Sequence, residues 1–228
     1  MAAPRDRRLV VLAAFALIAV GTVAAVLIGR SGEDDAASSA SSSAGCESVA
    51  APEPKRADLQ APAQTVDPGE PLTAVVDTSC GTFEIALDTR RAPKTTNSFA
   101  FLAGRGFYDG LGFHRVSSDP QFGVIQGGDP RGDGTGGPGY TVDETPPGDL
   151  AYTKGVVAMA KTSAEPPGRS GSQFFVVTSA DLGLPPDYAL LGEVSEGMDV
   201  VERIGGLGLP SEKPRQPVVI DSVEIEER

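Results

Sequence analysis

The chain has few of the residues that bind metals or transfer protons in enzyme active sites. Its 228 residues include one histidine, His114, and two cysteines, Cys46 and Cys80. A structural zinc site needs four nitrogen, sulfur or carboxylate ligands, so we expect no metal and no other cofactor. A histidine-dependent hydrolase is also disfavoured, because the Gly171-Ser172-Gln173 stretch lacks the G-x-S-x-G pattern of a nucleophilic serine.

Positive charge is the second scarce property. Residues 1–30 carry four of the 19 Lys and Arg residues and one of the 31 Asp and Glu residues, so the remainder has 15 bases, 30 acids and a net charge of −15. A surface of this charge repels a phosphate backbone, and we expect no nucleic-acid partner.

The N-terminus differs in composition from the rest. Residues 1–8 form a basic flank with three arginines, residues 9–28 are 20 positions without a charge, and three acids follow at 33–35. About 20 apolar residues span the ~30 Å core of a membrane, whereas a cleavable signal peptide has a shorter apolar run. We predict an uncleaved transmembrane helix at 9–28 in the cell membrane, with the N-terminus cytoplasmic and the C-terminal domain extracytoplasmic. A cleaved signal peptide is the alternative.

Residues 29–71 read as a linker. A Ser/Ala-rich stretch, which cannot bury enough apolar area to fold, is followed by five prolines between Pro52 and Pro71. The folded domain is therefore predicted at 72–228. Outside the cytoplasm, Cys46 and Cys80 can form a disulfide that ties the linker to the domain, with two free thiols as the alternative.

The domain is rich in short strands. Apolar residues alternate through 72–88 on both sides of Ser79-Cys80-Gly81, which predicts a β-hairpin, and several short apolar runs follow between Gly, Pro and Asp residues. Helices are predicted at 96–103, ended by Gly104, and within 196–206. Many short strands with two isolated helices indicate a mainly β fold, a closed antiparallel barrel capped by two helices.

A glycine-rich stretch, residues 125–140, contains seven glycines, and residues 132–137 satisfy the dinucleotide-binding pattern G-x-G-x-x-G. A dinucleotide loop must lead from a strand directly into a helix. Here prolines follow and no helical period begins, so we interpret the match, and the Arg-Gly-Asp tripeptide at 131–133, as chance. Such a loop suits the wall of a groove that admits another backbone.

Five motifs together carry a family resemblance: GFYDGLGFHRV, QGGDPRGDGTGGPGY, GVVAMA, GSQFFVVTS and GEVSEGMDVVERI, in this order. From about Leu72 to Glu227 the chain resembles the cyclophilin family of peptidyl-prolyl cis-trans isomerases. The resemblance implies a closed eight-stranded barrel with a helix at each end and a groove for X-Pro segments. The implied activity is rotation of X-Pro bonds in exported or membrane-proximal proteins, as a folding catalyst whose partners are proline-containing polypeptides.

The chemistry of this reaction suits the composition. An X-Pro amide rotates over a barrier of ~18–20 kcal/mol because its C–N bond has double-bond character. A catalyst must stabilise the twisted amide, whose prolyl nitrogen has regained a lone pair, more strongly than the planar one. An always-protonated arginine can do this without a general base, which agrees with a single histidine.

The resemblance assigns roles to particular residues. Arg115, in Phe113-His114-Arg115, is the implied donor to the prolyl nitrogen, Gln126 orients it and the substrate carbonyl, and His114 supports the site. The implied substrate-binding residues form the proline pocket and the groove that leads to the residue before proline: Phe122, Val124, Ala160, Lys161, Gln173, Phe175, Leu184 and Tyr188.

Three departures from the family pattern affect the site. The stretch before Gln126 is about three residues longer than usual, so either a bulge returns Phe122 to the pocket or Gly123 takes its place. The loop that contains Pro166 and Pro167 is longer by a similar amount. Gly183 stands where many relatives have tryptophan, and we therefore expect weak cyclosporin binding. A non-catalytic proline-binding module or holdase that uses the same groove is the alternative function.

Overall fold

The structure is a computed structural model that describes residues 45–227. Two helices and ten strands lie in this range. The helices are α1 (Pro93–Ala103) and α2 (Met198–Gly205), and the strands are β1 (Leu72–Thr78), β2 (Gly81–Leu87), β3 (Arg115–Ser117), β4 (Val124–Gly127), β5 (Val142–Asp143), β6 (Val156–Met159), β7 (Arg169–Ser170), β8 (Phe174–Val177), β9 (Leu190–Glu196) and β10 (Ile220–Glu227).

The first two strands form the predicted hairpin. β1 and β2 pair antiparallel, with Val76 opposite Phe83 and Ala74 opposite Ile85. These four side chains are fully buried, whereas Thr82 and Ala86, on the other face of β2, are exposed. Every second residue of each strand therefore points into the core, as the alternation of apolar residues predicts for a half-buried strand pair.

The helices begin and end close to their predicted positions. α1 starts at Pro93, three residues before the predicted start, because proline lacks the N–H that a first helical position leaves unpaired. In its first turn, the N–H groups of Lys94 and Thr95 donate to the Glu144 carboxylate at 3.0 and 2.8 Å. α1 ends before Gly104, as predicted, and α2 lies within the predicted 196–206.

The main sheet has eight strands in the order β10-β1-β2-β9-β6-β8-β4-β3, and every neighbouring pair is antiparallel. The predicted eight antiparallel strands are confirmed, but the predicted closure is wrong, since the sheet is an open half-barrel. The edge strand β3 is only three residues long, and the Val116 N–H donates to the Glu212 carbonyl instead of to β10. A few backbone hydrogen bonds between residues 110–113 and 218–220 cross the remaining gap.

Two hydrophobic clusters lie on opposite faces of β4, β6 and β8. Along β8, Phe174 and Val176 point into the main core inside the sheet, and Phe175 and Val177 belong to a second cluster on the other face. β4 and β6 alternate in the same way. Strands that are buried on both faces read as continuous apolar runs, which is why these segments show no alternation in the sequence.

The N-terminal segment, defined here as residues 45–71, contains no helix or strand and lies against the domain. A disulfide joins Cys46 to Cys80, as predicted. The Asn97 side chain on α1 accepts the N–H groups of Thr65 and Val66 at 2.8 and 3.0 Å, and Val66 is buried in the main core. Composition alone did not indicate these contacts, because they depend on side chains elsewhere in the chain.

The basic flank at 1–8, the anchor at 9–28 and the first part of the linker, through residue 44, lie outside the described residues. Within residues 45–227, no helix is long and apolar enough to cross a membrane. The anchor and the membrane topology stay predictions.

Candidate active site

Two neighbouring strands bring Arg115 and Gln126 together. Arg115 is the first residue of β3 and lies directly opposite Gln126 of β4 in the antiparallel register. Its Nη1 donates to Gln126 Oε1 at 3.3 Å. Side chains of directly opposite residues leave the sheet on the same face. The two residues that the resemblance marks as catalytic are therefore adjacent in the structure.

The Arg115 guanidinium is held by a carboxylate that the sequence did not single out. Its Nε and Nη2 donate to the two carboxylate oxygens of Glu212 at 2.9 and 3.1 Å. Such a two-pronged pair fixes the plane of the guanidinium as well as its position. Arg115 lowers the pKa of the Glu212 carboxyl below its ordinary value, chiefly through these hydrogen bonds.

The pair leaves part of the guanidinium available. A guanidinium has five N–H donors; Glu212 takes two and Gln126 takes one. The other two have no partner among the described residues. The Arg115 side chain is about one-third exposed, so these donors can reach a bound ligand.

A chain of amides connects Gln126 to the glycine-rich loop, defined here as residues 128–141. Gln126 Nε2 donates to Gln173 Oε1 at 3.0 Å. Gln173 Nε2 in turn donates to the carbonyl oxygens of Gly134 and Gly136 at 3.0 and 2.9 Å. These bonds give each amide one orientation, which turns the Gln126 oxygen toward Arg115.

The path of the glycine-rich loop tests whether its G-x-G-x-x-G pattern belongs to a dinucleotide-binding loop. After β4 the chain passes through turns and bends to the two-residue strand β5, and no helix begins between residues 128 and 141. The interpretation of G-x-G-x-x-G as a chance match is confirmed. The glycines instead allow the loop to present its carbonyl oxygens to Gln173.

The second hydrophobic cluster forms a cup next to Arg115. Phe175 is buried in it, and the rings of Phe175 and Tyr188 meet edge to face with centroids 5.4 Å apart. Phe122, Ala160 and Leu184 pack against the same cluster and are half-buried, so part of their apolar surface can contact a ligand. The cluster includes all the predicted apolar pocket residues, which are Phe122, Val124, Ala160, Phe175, Leu184 and Tyr188, together with Leu182.

The position of Phe122 resolves the departure before Gln126. Phe122 is half-buried against the second cluster, and its ring centroid lies 5.7 Å from Arg115 Cζ. Gly123 is buried where a Cβ atom would overlap the Thr178 hydroxyl, so it leaves no room for a side chain. The longer stretch thus returns Phe122 to the cup, beside the guanidinium.

Beyond the cup lies an open cavity of about 900 Å³. Gln126, Ala160, Lys161 and Gln173 line it, so the predicted groove residues Ala160, Lys161 and Gln173 border the same cavity as Gln126. The Lys161 side chain is 4% exposed, because its Nζ pairs with Asp187 at 2.6 Å. Lys161 therefore lines the cavity without a free ammonium.

His114 lies immediately before Arg115 and is half-buried. The resemblance gives His114 a supporting role, but its Nδ1 is buried without a hydrogen-bond partner among the described residues, so this atom forms no supporting hydrogen bond. Burial lowers the pKa of His114 below its ordinary value. The ring is therefore neutral at pH 7, which agrees with a role other than proton transfer.

Sequence reasoning missed Glu212 and Leu182. Glu212 lies 97 residues after Arg115 in the chain, within a turn that ends at Pro214. Its contact with Arg115 in the folded structure is the observation that includes it in the site. Leu182 is buried in the cup beside Gly183, and a hydrophobic residue between two predicted pocket positions was a usable signal.

Gly183 borders the cup at an exposed turn. It has a positive φ of 62°, and a Cβ atom placed there would meet no atom within 4 Å. The turn therefore has space for a side chain but has a backbone conformation that a tryptophan rarely adopts. A tryptophan at this position would need a different turn.

Comparison with known proteins gives one consistent result. Residues 73–225 match the family described as Cyclophilin type peptidyl-prolyl cis-trans isomerase/CLD. A probable peptidyl-prolyl cis-trans isomerase B of Mycobacterium leprae is 35% identical over 178 residues, which are 70% of this chain and 59% of that protein. The human peptidyl-prolyl cis-trans isomerase-like 1 is 37% identical over 164 residues, 70% of this chain and 92% of that protein.

The solved structures agree with the sequence comparison. A cyclophilin type peptidyl-prolyl cis-trans isomerase of Cryptosporidium parvum, crystallised in the presence of the dipeptide Ala-Pro, has a TM-score of 0.62 and 28% sequence identity. The similarity covers 68% of this chain and 99% of that one. The matched part of this chain spans about three fifths of the length of the mycobacterial relatives.

Proposed function

Because the chain belongs to the cyclophilin-type peptidyl-prolyl cis-trans isomerase family, we propose that it accelerates cis-trans rotation of X-Pro peptide bonds. The observation that supports this most directly is the fixed guanidinium of Arg115 at the edge of the apolar cup. Glu212 and Gln126 hold it, and the Phe122 ring lies 5.7 Å from its Cζ.

In this proposal the proline ring occupies the cup, against Phe175 and between the side chains of Phe122 and Leu184. Rotation removes the amide resonance and leaves a lone pair on the prolyl nitrogen. A free N–H of Arg115 then donates to that lone pair, an interaction that the planar ground state cannot make. The Gln126 amide orients Arg115, and the backbone beside Ala160 holds the residue that precedes proline.

No proton is transferred in this mechanism, and no covalent bond forms or breaks. Arginine stays protonated at every relevant pH. The apolar cup lowers the local dielectric constant, which strengthens the attraction between the guanidinium and the nitrogen lone pair. The chain therefore needs no general base, and a neutral His114 is consistent with the reaction.

The experiment that tests the proposal measures isomerisation of an Ala-Pro peptide by NMR exchange or by a protease-coupled assay. Arg115→Ala should lower kcat/KM by about 10²–10³-fold, the usual loss when one transition-state donor is removed. Arg91→Ala is the matched control, since Arg91 forms a surface ion pair with Asp88 outside the groove. Equal rates for the wild type and Arg115→Ala reject the mechanism.

The same samples distinguish the alternative function. A proline-binding module or holdase would bind the peptide saturably and leave its isomerisation rate unchanged. The argument for that alternative was a displaced Phe122, and Phe122 packs in the cup. Catalysis is therefore the function that the geometry favours, and we expect weak cyclosporin binding because glycine occupies position 183.

We further propose that the protein acts on exported or membrane-proximal polypeptides, from the extracytoplasmic side of the cell membrane. The support is the 20-residue uncharged stretch at 9–28 behind a basic flank. The Cys46–Cys80 disulfide agrees with this location, since such bonds persist in oxidising compartments.

A further inference from the structure

We propose that Lys55 and Arg56 of the N-terminal segment form a cationic subsite in the groove, which selects X-Pro substrates that carry Asp or Glu upstream of the proline. This inference rests on the proposed function and specifies its substrate class. The two residues precede the family match, which begins at residue 73.

The N-terminal segment forms one wall of the cavity of about 900 Å³ that continues from Gln126. Residues 55–57 line this cavity, as do Ala160, Gln173 and part of the glycine-rich loop. In the proposed function, Ala160 and Gln173 lie beside the amino acid that precedes proline. A substrate chain that extends upstream from the cup must therefore pass Lys55 and Arg56.

The backbone of the N-terminal segment is fixed at this place. The Lys55 N–H donates to the Pro130 carbonyl at 2.6 Å, and the Leu59 N–H donates to the Pro138 carbonyl at 2.7 Å. Both acceptors belong to the glycine-rich loop, which also lines the cavity. Residues 55 and 56 therefore occupy a defined position in the groove.

The charges of the subsite have no carboxylate partner. Arg56 is exposed and forms no ion pair or side-chain hydrogen bond within residues 45–227. The Lys55 ammonium donates to a backbone carbonyl, that of Asp109, at 2.7 Å. Neither cation therefore has its charge offset by a carboxylate within residues 45–227.

Other charged groups around the cavity are already paired. Lys161 binds Asp187 at 2.6 Å, and Arg131 lies 3.6 Å from Asp133. Among the described residues that line the cavity, the one acidic residue is Glu165, whose Oε2 accepts hydrogen bonds from the Thr162 N–H and hydroxyl at 2.7 and 2.9 Å. Two unpaired cations in the groove of a protein of net charge −12 thus mark the place where a substrate carboxylate binds.

The test compares two peptides that differ in one residue, Glu or Gln, three positions before an Ala-Pro bond. For the full chain at low salt, kcat/KM for the Glu peptide should exceed that for the Gln peptide by about threefold to tenfold, the range expected for two exposed ion pairs. The ratio should fall toward one at 0.5 M salt, because exposed charges are screened.

The double variant Lys55→Gln/Arg56→Gln should bring the ratio close to one. Arg90→Gln/Lys94→Gln is the matched control, because it removes the same charge from two exposed residues that do not line the cavity. This control should keep the preference. The ratio within each variant is the readout, so a general change in activity cancels.

A wild type with equal kcat/KM for the two peptides, or a preference that survives Lys55→Gln/Arg56→Gln, overturns the inference. If neither peptide is isomerised, the proposed function fails, and NMR titration of the same peptides still tests the subsite through their ratio of Kd values. A Kd ratio of one then also rejects it.

Discussion

The residue that determines where Arg115 points is Glu212, which acts through a backbone conformation that few residues adopt. Glu212 has a φ of 57° and is the one non-glycine residue with positive φ within residues 45–227. Such a conformation costs about 1–3 kcal/mol and persists where the surrounding structure requires it. Here it places a carboxylate against two N–H groups of the Arg115 guanidinium. We therefore assign Glu212 as a positioning residue.

We predict that Glu212→Ala lowers kcat for an Ala-Pro peptide about tenfold to a hundredfold, the usual cost of a misplaced catalytic group, with a smaller change in KM. Glu212→Gly is the informative companion, because glycine adopts the positive φ without strain and also lacks the carboxylate. Both variants should lose similar activity in the NMR exchange assay. Wild-type kcat in Glu212→Gly would show that the carboxylate is dispensable.

The pH dependence of the reaction follows from the same pair. The folded-state pKa of Glu212 lies below its ordinary value of 4.5, so the ion pair with Arg115 is complete above that pH and is lost as the pH falls through the lower folded value. We expect kcat/KM to be flat from about pH 6 to 9 and to fall only in acid, measured by NMR exchange.

Glu212→Gln should abolish the acid decrease, because glutamine does not titrate. A wild-type profile with an inflection close to the ordinary pKa of histidine would contradict the scheme, since it would indicate proton transfer by His114. Burial lowers the pKa of that residue, and no step of the mechanism uses it.

At the scale of elements, the glycine-rich loop is organised by one buried carboxylate. Asp129 is 1% exposed, and its two oxygens accept the N–H groups of Arg131 at 2.8 Å and Gly134 at 2.6 Å. These bonds fix the loop that supplies the carbonyl acceptors of Gln173. The loop conformation therefore affects how Gln126 and Arg115 are oriented, through the hydrogen bonds of Gln173.

Two adjacent glycines of this loop provide a matched pair of variants. A Cβ atom at Gly136 would overlap Asp129 Oδ1, whereas a Cβ at Gly137 would meet no atom within 4 Å. We predict that Gly136→Ala lowers the free energy of unfolding by about 1–3 kcal/mol and also lowers kcat/KM, because Gln173 loses its acceptors.

Gly137→Ala should stay within about 0.5 kcal/mol of the wild type, as surface substitutions usually do. Urea unfolding and the peptide assay measure the two effects. Equal behaviour of the two alanine variants would contradict the proposed role of the loop.

The N-terminal segment is the second element whose attachment has a measurable consequence. The Cys46–Cys80 disulfide closes a loop with a sequence separation of 34 residues. By the chain-entropy relation, this should contribute about 3–4 kcal/mol to stability. Cys46→Ser/Cys80→Ser should lose this amount in urea unfolding, and a reductant should then have no further effect on that variant. An unfolding midpoint of the wild type that is insensitive to reductant would refute the prediction.

At the scale of the whole molecule, the open sheet has a consequence for the site. The strands that carry the cup, β4, β6 and β8, lie toward one side of the sheet, and the edge strand β3 carries Arg115. Because β3 does not pair with β10, the turn that contains Glu212 can bond to it, through the Val116 N–H and the Arg115 side chain. The interruption of the barrel thus makes room for the residue that positions Arg115.

The predicted anchor is testable on the intact protein. The full chain should remain with membranes after alkaline carbonate extraction, while a variant that lacks residues 1–30 should be released into the supernatant. Externally added protease should reach the C-terminal domain in spheroplasts. A full chain that is released by carbonate would indicate a cleaved signal peptide or another location.

Much of the fold follows from local pattern. The β1–β2 hairpin was predictable because alternation of apolar residues depends only on the two faces of a strand, and Gly104 marked the end of α1. The order of the five motifs was sufficient to identify Arg115, Gln126 and Phe175 as neighbours. Closure of the barrel was not predictable, because it depends on which distant segment the N–H groups of a three-residue edge strand meet.

The sequence alone therefore determined the strands of the main sheet, the two helices and the family, since these follow from local apolar patterns and from motifs in a fixed order. Tertiary structure decided which carboxylate holds Arg115, whether Phe122 or Gly123 faces the cup, and where the N-terminal segment lies. These three depend on contacts between residues far apart in the chain or on the path of one irregular stretch. Local patterns of apolar residues do not predict such contacts, because the contacts form only when folding brings the partners together.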